Sequence, residues 1–303
     1  MELYQLKTFV KVADEGHLTR AAEQLFTSQP AISAHIKALE EELGVVLFQR
    51  TPKGMILTPE GELLYNQAMQ TLEAAENLKT QARALQDELV GDVRVGIHTD
   101  FEFMRIGALH HRLLETYPRV RPHFIQSMSA IIVPDIRKGN LDGGFFFGPC
   151  RFGDLSVTRV LDVPMAIVAP VAWRDRIEGA DIRALADLPW VYTSENCPFH
   201  AVSMELFEDV DAEPAKVAYV DSEDAVRELI RSGAGLSLLR QDDAEWTQEQ
   251  GFGCVWSGAA PGIELNFAVQ KRRSSEPLIK AVSEVIRQLW SLDDPLLSEE
   301  AAK

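Results

Sequence analysis

The sequence predicts an α+β chain of several parts: a helical N-terminal segment, one long helix and a two-lobed α/β region. Three observations support this fold class. Apolar residues recur at three-to-four spacing from Leu3 onward, a long apolar seam follows Thr58, and strand-like runs alternate with helical stretches beyond Gly91. A chain of 303 residues has room for about two domains.

The composition is that of a folded, water-soluble chain, with 46% hydrophobic and 25% charged residues. The longest apolar run, residues 163–173, is broken by Pro164 and Pro170 and is shorter than the ~18 residues that a membrane span needs. The first ten residues contain no secretory signal pattern, so we expect a cytoplasmic protein without membrane contact. Three widely spaced cysteines predict neither a disulfide framework nor a zinc site, and we expect no metal and no cofactor.

The net charge of −16 argues by itself against a nucleic-acid partner, because binding to phosphates depends on Lys and Arg. The charge is unevenly distributed, however. Residues 1–60 contain 6 basic and 8 acidic side chains, a net charge of −2, which leaves −14 for the rest. The N-terminal segment must therefore be judged by the positions of its charges.

The first part, residues 1–58, is predicted to be a small winged domain. The first helix starts at Leu3 and ends at Gly16, and the third ends at Gly44 after a cap by Thr27-Ser28. Pro30 stands in the first turn of that third helix, where proline costs little. The predicted elements are helices at 3–15, 18–26 and 29–43 and strands at 47–48 and 56–57 around a Pro52-Lys53-Gly54 turn.

The second part, residues 59–90, is predicted to be one long linker helix of roughly 45 Å. Its apolar seam steps by three or four residues through Leu64, Ala68, Leu72, Ala75, Leu78, Ala82, Leu85 and Leu89. This spacing suits a coiled coil with a second copy of the chain, that is, a homodimer. The alternative is a helix that packs on its own domain.

The third part, residues 91–295, alternates strands and helices, which favours parallel sheets covered by helices. Lobe I is predicted to comprise residues 91–163 and 266–295, and lobe II residues 164–265. Predicted strands are 93–97, 121–126, 143–147, 164–169, 190–193, 216–220, 236–239 and 265–270; predicted helices are 105–116, 131–138, 182–186, 202–210, 222–232 and 278–292.

Residues 18–43 have the pattern of a helix-turn-helix, whose second helix presents short polar and basic groups near its N-terminus. Such groups suit base edges and phosphates, and the free N–H groups of a helix start favour phosphate as well. The alternative is an ordinary solvated helix face, which the acidic run Glu40-Glu41-Glu42 would fit. The candidate DNA contacts are Ser28, Gln29, Pro30, Ser33, His35 and Lys37, with Arg50 and Lys53 on the wing.

Five motifs, AAEQL, SQPAIS, IKALEEELG, LFQR and LTPEG, stand within about sixty residues. In this arrangement the N-terminal segment resembles the winged helix-turn-helix of LysR-type transcriptional regulators, and the length and organisation extend the resemblance over essentially the whole chain. The sequence departs from the family pattern at Ala34, His35 and Lys53, so no operator sequence can be transferred.

The resemblance implies a periplasmic-binding-protein-like effector domain with a ligand cleft between its lobes. Open α/β folds bind ligands at the carboxyl ends of their strands, where several polar and aromatic residues of this sequence stand. Each also has a structural alternative: Thr99, Ser127 and Ser129 as helix caps, Asp100 as a cap or amine ligand, and His98 as a packed residue. The candidate effector contacts are His98, Thr99, Asp100, Ser127, Ser129, Phe147, Cys197, Pro198 and Phe199.

Cys197 resembles the position of the reactive thiol in peroxide-sensing members of the family, and His200 stands nearby. No second cysteine follows within a dozen residues. A thiol-based redox sensor is therefore one alternative, and a cysteine that simply lines the cleft is the other.

The sequence thus predicts a DNA-binding transcriptional regulator that responds to a small-molecule effector. Its expected partners, as the resemblance implies, are a two-fold-symmetric DNA operator, RNA polymerase and further copies of itself in a homodimer or homotetramer. A solute-binding protein would share the two-lobed domain but would not need the helix-turn-helix. An enzyme is disfavoured, because the sequence contains no P-loop, no GxSxG elbow and no metal-spaced His/Cys cluster.

Overall fold

A computed structural model describes residues 1–52, 54–84, 89–98, 100–208 and 214–290 of the chain. The chain forms two compact units, Met1–Glu88 and Leu89–Lys303, and each is described by itself. In the described residues, no helix is long and apolar enough to cross a membrane. Lys53 and Thr99, two of the candidate contact residues, lie outside the described residues.

The first unit contains three short helices, a two-stranded wing and the start of a long helix. The predicted stop signals are observed: α1 ends at Gly16 and α3 at Gly44, both with left-handed backbones, and the Ser28 hydroxyl caps α3 by accepting from the Ala31 amide. The elements are α1 Leu3–Glu15, α2 Leu18–Gln24, α3 Gln29–Leu43, β1 Phe48–Thr51, β2 Gly54–Leu57 and α4 Pro59–Ala84.

The core of this unit is formed by apolar side chains from every element. Phe9, Ile32, Leu39 and Leu47 are at most 1% exposed. The wing is tied to the turn after α1, because the Met55 amide donates to the Gly16 carbonyl at 2.7 Å. Glycine is required at position 54, since a Cβ there would lie 2.2 Å from the same carbonyl oxygen at a φ of +126°.

The apolar seam of α4 is divided between two environments, contrary to the prediction of one continuous seam. Leu64, Ala68 and Leu72 pack into the core of the first unit, so this half of the helix follows the alternative of packing on its own domain. Leu78, by contrast, is 69% exposed. The predicted extension of the helix to Val90 is wrong at its end, because Leu89 is outside the helix and packs against the core of the second unit. Leu85 lies outside the described residues.

The second unit contains ten strands and eight α-helices within its described residues. Its strands are β3 Gly91–Ile97, β4 Val120–Gln126, β5 Gly143–Phe147, β6 Leu155–Val163, β7 Met165–Pro170, β8 Pro189–Tyr192, β9 Ala215–Tyr219, β10 Ser237–Arg240, β11 Gly253–Val255 and β12 Ile263–Gln270. Its helices are α5 Ile106–Thr116, α6 Ser129–Lys138, α7 Arg174–Ile177, α8 Ile182–Ala186, α9 Pro198–Glu208, α10 Glu223–Arg231, α11 Gln241–Glu249 and α12 Pro277–Leu289.

Five of these strands form a sheet of order β4-β3-β5-β12-β6. The strands between residues 165 and 255 form a three-stranded sheet of order β10-β7-β11 and, beside it, the pair β8-β9. The prediction of parallel sheets is only partly right. β3 is parallel to β4 and β5, and β8 to β9, whereas β12 runs antiparallel to both its neighbours and β7 to both of its own. In the larger sheet, the antiparallel pairs are those of β12, along which the chain returns after it has left along β6.

Several elements differ from the predicted ones. β6, β11, α7 and α11 were not predicted at all. The return to the larger sheet begins at Ile263, three residues before the predicted start of the second part of lobe I, and α12 ends at Leu289. Residues 291–295, the predicted end of this lobe, lie outside the described residues, as does the end predicted for the helix at 202–210.

Candidate functional site

The N-terminus of α3 is an exposed polar surface in the first unit. Ser28, Gln29 and Pro30 are all exposed, and Ser33 is half-buried one turn further along. The Ser28 hydroxyl stays within the cap, 3.4 Å from the Ala31 nitrogen. Gln29 therefore offers the amide that is free to reach a partner, at the positive end of the helix dipole.

The wing and α3 together form a shallow depression that is lined by two positively charged side chains. Ser33 and Lys37 of α3 line it on one side and Arg50 of β1 on the other. Glu40 also lies there, but its carboxylate accepts from the amides of Leu47 and Phe48, at 2.7 and 3.3 Å, and so joins the helix to the wing. Lys37 lies 3.6 Å from Glu41 on the same helix, an exposed pair of small energetic weight.

His35, one of the predicted DNA contacts, is half-buried against α1. Its Nδ1 lies 3.1 Å from the Thr8 hydroxyl, and its ring meets the Tyr4 ring edge-on at 4.7 Å. Packing between α1 and α3 accounts for the position of this histidine, and its contact with DNA stays a prediction.

The second unit contains a cavity at the carboxyl ends of β3, β4 and β5 of the five-stranded sheet and of β8 and β9 of the two-stranded pair. Open α/β folds bind ligands at such strand ends. All of the predicted effector contacts within the described residues, except Asp100, line this cavity. The lining comprises His98, Ser127, Met128, Ser129, Phe147, Thr193, Cys197, Pro198, Phe199, Asp221, Ser222, Glu223, Val226, Leu238 and Leu239.

Two polar side chains of the cavity lining, those of His98 and Ser129, are joined by a hydrogen bond. His98 Nε2 lies 2.9 Å from the Ser129 hydroxyl, which also accepts from the Phe147 amide at 3.0 Å. Burial lowers the pKa of His98 to about 4; the charge of Glu223 opposes this shift and that of Arg240 adds to it. His98 is therefore neutral at neutral pH and brings no positive charge to the cavity.

The floor of the cavity is aromatic. Phe147 meets Phe199 edge-on at 5.1 Å and His98 at 4.9 Å between ring centroids. Such edge-to-face contacts stabilise a fixed arrangement of rings. Phe147 and Phe199 are 4% and 5% exposed, so they serve the core and the cavity at once.

Cys197 lines the cavity as a half-buried thiol, directly before α9. Burial raises its pKa, although the Thr193 side chain and the amides of Phe199 and His200 act in the opposite direction. A raised pKa leaves the thiol protonated at neutral pH, whereas reactive cysteines are thiolates.

Asp100 does not line the cavity, contrary to its assignment as an effector contact. Its carboxylate accepts from the Phe103 amide at 2.9 Å and forms an ion pair with Arg240, which is 2% exposed. The Arg240 guanidinium also lies over the Phe103 ring at 4.0 Å and pairs with Asp242 at 3.0 Å. Asp100 is thus a link between β10 and the loop after β3, because a buried arginine requires such partners.

Two sequence-family models match this chain. The bacterial regulatory helix-turn-helix protein of the lysR family matches residues 3–62, and the LysR substrate binding domain matches residues 86–291, more than half of the chain. The protein belongs to the LysR family of transcriptional regulators.

Curated relatives of this LysR-type regulator carry the same type of name. The Hca operon transcriptional activator HcaR of Escherichia coli (strain K12) is 28% identical over 309 residues, 96% of this chain and 99% of the relative. The HTH-type transcriptional regulator ClcR of Pseudomonas putida is 30% identical over 244 residues, 79% and 82% of the two chains.

Solved structures share the fold of this chain. A full-length OxyR variant from Pseudomonas aeruginosa, with one cysteine replaced by aspartate, matches with a TM-score of 0.71 and 26% identity over 95% of each chain. CbnR in complex with its target DNA matches with a TM-score of 0.64 and 21% identity over 95% of this chain and 99% of the other, which shows a shared fold.

Sequence reasoning missed one side of this LysR-type regulator's cavity, the start of α10. Asp221, Ser222 and Glu223 line the cavity there, and the Ser222 hydroxyl caps α10 at 3.5 Å from the Ala225 nitrogen. The signal was present in the sequence, because these residues follow β9 just as Ser127 and Ser129 follow β4. The rule that ligands bind at the carboxyl ends of strands, which identified Ser127 and Ser129, also predicts the residues after β9.

Proposed function

We propose that this LysR-type regulator binds a two-fold-symmetric DNA operator through α3 and the wing, and that a small molecule in the second unit's cavity changes operator binding or promoter activation by RNA polymerase. The observation that carries the proposal is the cavity itself. Its lining comes from strand ends of the five-stranded sheet in lobe I and of the pair β8-β9 in lobe II, so a ligand there touches both lobes.

The chemistry of the cavity favours a mostly apolar effector that is uncharged or carries an amine. In the described part of the lining there is no Lys or Arg, whereas Asp221 and Glu223 bring carboxylates. His98 is neutral, and Phe147 and Phe199 supply aromatic surface. A carboxylate ligand would meet negative charge without a cationic partner in this lining, and like charges in a poorly solvated cavity repel.

A thermal-shift comparison of three probes with the same aromatic body tests this proposal: 2-phenylethylamine, 2-phenylethanol and phenylacetate. A ligand that binds only the folded state raises its stability. We expect the amine or the alcohol to raise Tm more than phenylacetate does. Glu223→Gln should reduce the preference for the amine, whereas Glu228→Gln, an exposed residue of the same helix, should not. Greater stabilisation by phenylacetate would contradict the proposed effector class.

The DNA-binding half of the proposal has its own test. Gln29→Ala and Ser33→Ala should abolish specific operator binding while the fold and the oligomer persist, because their side chains are placed for base edges. Arg50→Ala should weaken binding to all sequences and reduce the salt slope by roughly one. Specific binding retained by both the Gln29 and the Ser33 variants would contradict the assignment of the recognition helix.

We further propose that the regulator is a homodimer through α4 and forms a homotetramer from such dimers. The exposed Leu78 supports this, because a large apolar side chain on a long helix favours a helical partner. Sedimentation of Leu78→Glu against wild type tests it: dissociation supports pairing through α4, and an unchanged oligomer contradicts it.

The alternative in which Cys197 senses oxidants is less well supported. The protonated, half-buried thiol has low nucleophilicity, although the related OxyR structure is of a variant with a substituted cysteine. A peroxide-dependent change in operator binding that is lost in Cys197→Ser would favour this alternative over a bound effector.

A further inference from the structure

Phe26 is a fully solvent-exposed aromatic residue in the turn between α2 and α3. Its exposed fraction is 98%, the highest of any large hydrophobic residue in the described part of the chain. Its φ is +51°, in the left-handed region that non-glycine residues seldom adopt. The position thus combines two unfavourable features, an apolar ring in water and a backbone suited to Gly or Asn.

The direction of the ring is set by a hydrogen-bonded turn. The Phe26 amide donates to the Glu23 carbonyl at 3.2 Å, and the Thr27 amide donates to the Ala22 carbonyl at 3.0 Å. Leu25 packs against the core of the unit, so the next side chain turns away from it. Phe26 is therefore held out into solvent by the same turn that places Ser28 at the start of α3.

The ring is continuous with the exposed surface at the N-terminus of α3. Thr27, Ser28, Gln29 and Pro30 follow Phe26 directly and are all exposed. In a helix-turn-helix this end of the second helix approaches the major groove. Apolar side chains, Phe among them, contact the methyl group of thymine there.

The charge of the N-terminal segment supports a contact of this kind. Residues 1–60 have a net charge of −2, so few cations are available for phosphates. A DNA-binding unit with this charge must obtain more of its affinity from contacts that involve no ion pair. An exposed phenyl ring next to the recognition helix supplies one.

We propose that Phe26 contacts operator DNA directly, its ring lying against a thymine methyl group or a deoxyribose at the edge of the major groove. This inference rests on the proposed recognition surface at the start of α3. It adds an apolar contact to the polar residues that the sequence pattern identifies.

The test compares full-length variants on a duplex selected by the wild-type protein from a random-sequence pool. Phe26→Ala removes the ring, and Phe26→Asn also removes it but keeps a residue that tolerates the left-handed backbone. Leu43→Ala is the matched control, because Leu43 is an exposed apolar residue at the other end of α3. Gln29→Ala serves as the positive control for loss of recognition.

We expect both Phe26 variants to weaken binding about fivefold, the size of one apolar contact of about 1 kcal/mol. The slope of affinity against salt should stay unchanged, because no counterion is released by a phenyl ring. Leu43→Ala should bind as wild type does. Replacing thymine by deoxyuridine separates the two DNA groups: an effect of Phe26→Ala that disappears identifies the methyl group, and one that persists identifies the sugar.

Two results would overturn the inference. Wild-type affinity in both Phe26 variants, together with loss of binding in Gln29→Ala, would show that Phe26 does not touch DNA while the recognition surface stands. A changed sedimentation coefficient of DNA-free Phe26→Ala would show that the ring contacts another copy of the protein. Specific binding retained by both Gln29→Ala and Ser33→Ala would instead contradict the recognition surface itself.

Discussion

Acidification should destabilise the second unit through one residue, His98. The unfolded chain binds a proton at this imidazole near pH 6.5, whereas burial lowers its pKa to about 4 in the folded protein. Between these values the unfolded state holds more protons than the folded state, so stability falls as the pH falls. The stability that the folded state owes to a neutral His98 is fully present above pH 6.5 and is lost progressively as the pH falls to about 4.

The size of this loss of unfolding free energy follows from the shift in the pKa of His98. About 2.5 pKa units at 1.36 kcal/mol each give at most about 3 kcal/mol over the whole window. Between pH 7.5 and pH 5 the expected loss is about 2 kcal/mol, since about 1.5 units of the window have been crossed. A loss of this size is a large part of the stability of a typical domain.

Urea titration followed by tryptophan fluorescence measures the effect on the correct unit. All five tryptophans, at positions 173, 190, 246, 256 and 290, belong to the second unit. His98→Gln replaces the imidazole by an amide that does not titrate. The difference in unfolding free energy between pH 7.5 and pH 5 should shrink by about 2 kcal/mol in this variant. His110→Gln, at an exposed histidine of α5, is the control and should behave as wild type does.

The reasoning is refuted if wild type and His98→Gln lose the same free energy between the two pH values. That result would mean that folding does not lower the pKa of His98. The imidazole would then gain a positive charge as the pH falls through about 6.5, and the statement that His98 brings no charge to the cavity would hold only above that pH.

Three further perturbations have defined outcomes. Arg240→Met removes the buried cation from Asp100, Asp242 and Asp243, of which Asp243 still pairs with Arg227, and should lower the unfolding free energy of the second unit by about 1–3 kcal/mol in urea titrations. Glu40→Ala removes the acceptor for the Leu47 amide and should lower the unfolding free energy of the first unit by about 1–3 kcal/mol. The effect should be seen as a lower melting temperature of that unit's helical signal. Cys197, whose pKa is raised by burial, should react with iodoacetamide at pH 7 more slowly than a free thiol does, as mass spectrometry of the native and urea-unfolded protein will show.

The elements that the sequence predicts well are those with local stop signals. Gly16 and Gly44 end helices where a left-handed residue is needed, and Ser28 begins one as its cap. These signals act over three or four residues and depend little on the rest of the chain. The bounds of α1 and α3 follow from them.

The elements that the sequence does not predict depend on distant partners. β6 lies at the edge of the five-stranded sheet and is paired only through β12, a hundred residues later in the chain. The three residues of β11 form a strand because β7 is beside them. In the same way, the partner of Asp100 stands 140 residues away at Arg240, so no local pattern distinguishes a buried ion pair from an effector contact.

The first half of α4 shows a further limit of periodicity. Apolar residues at three-to-four spacing indicate that one face of the helix is apolar, but they do not indicate what covers that face. Leu64 and Leu72 are covered by the first unit, whereas Leu78 is exposed. The same pattern thus serves the domain core at one end of the helix and remains available for a partner further along.

The cavity and the ion pair of Arg240 use adjacent residues of the same strand ends. His98 and Leu239 line the cavity, while Asp100 and Arg240, two residues and one residue further along, hold the loop after β3 against β10. A substitution in the cavity therefore perturbs stability as well as ligand contact. A variant that no longer responds to a candidate effector has lost the binding site only if its unfolding free energy, measured without ligand, equals that of wild type. The ligand screen and the urea titration must be carried out on the same set of variants for this reason.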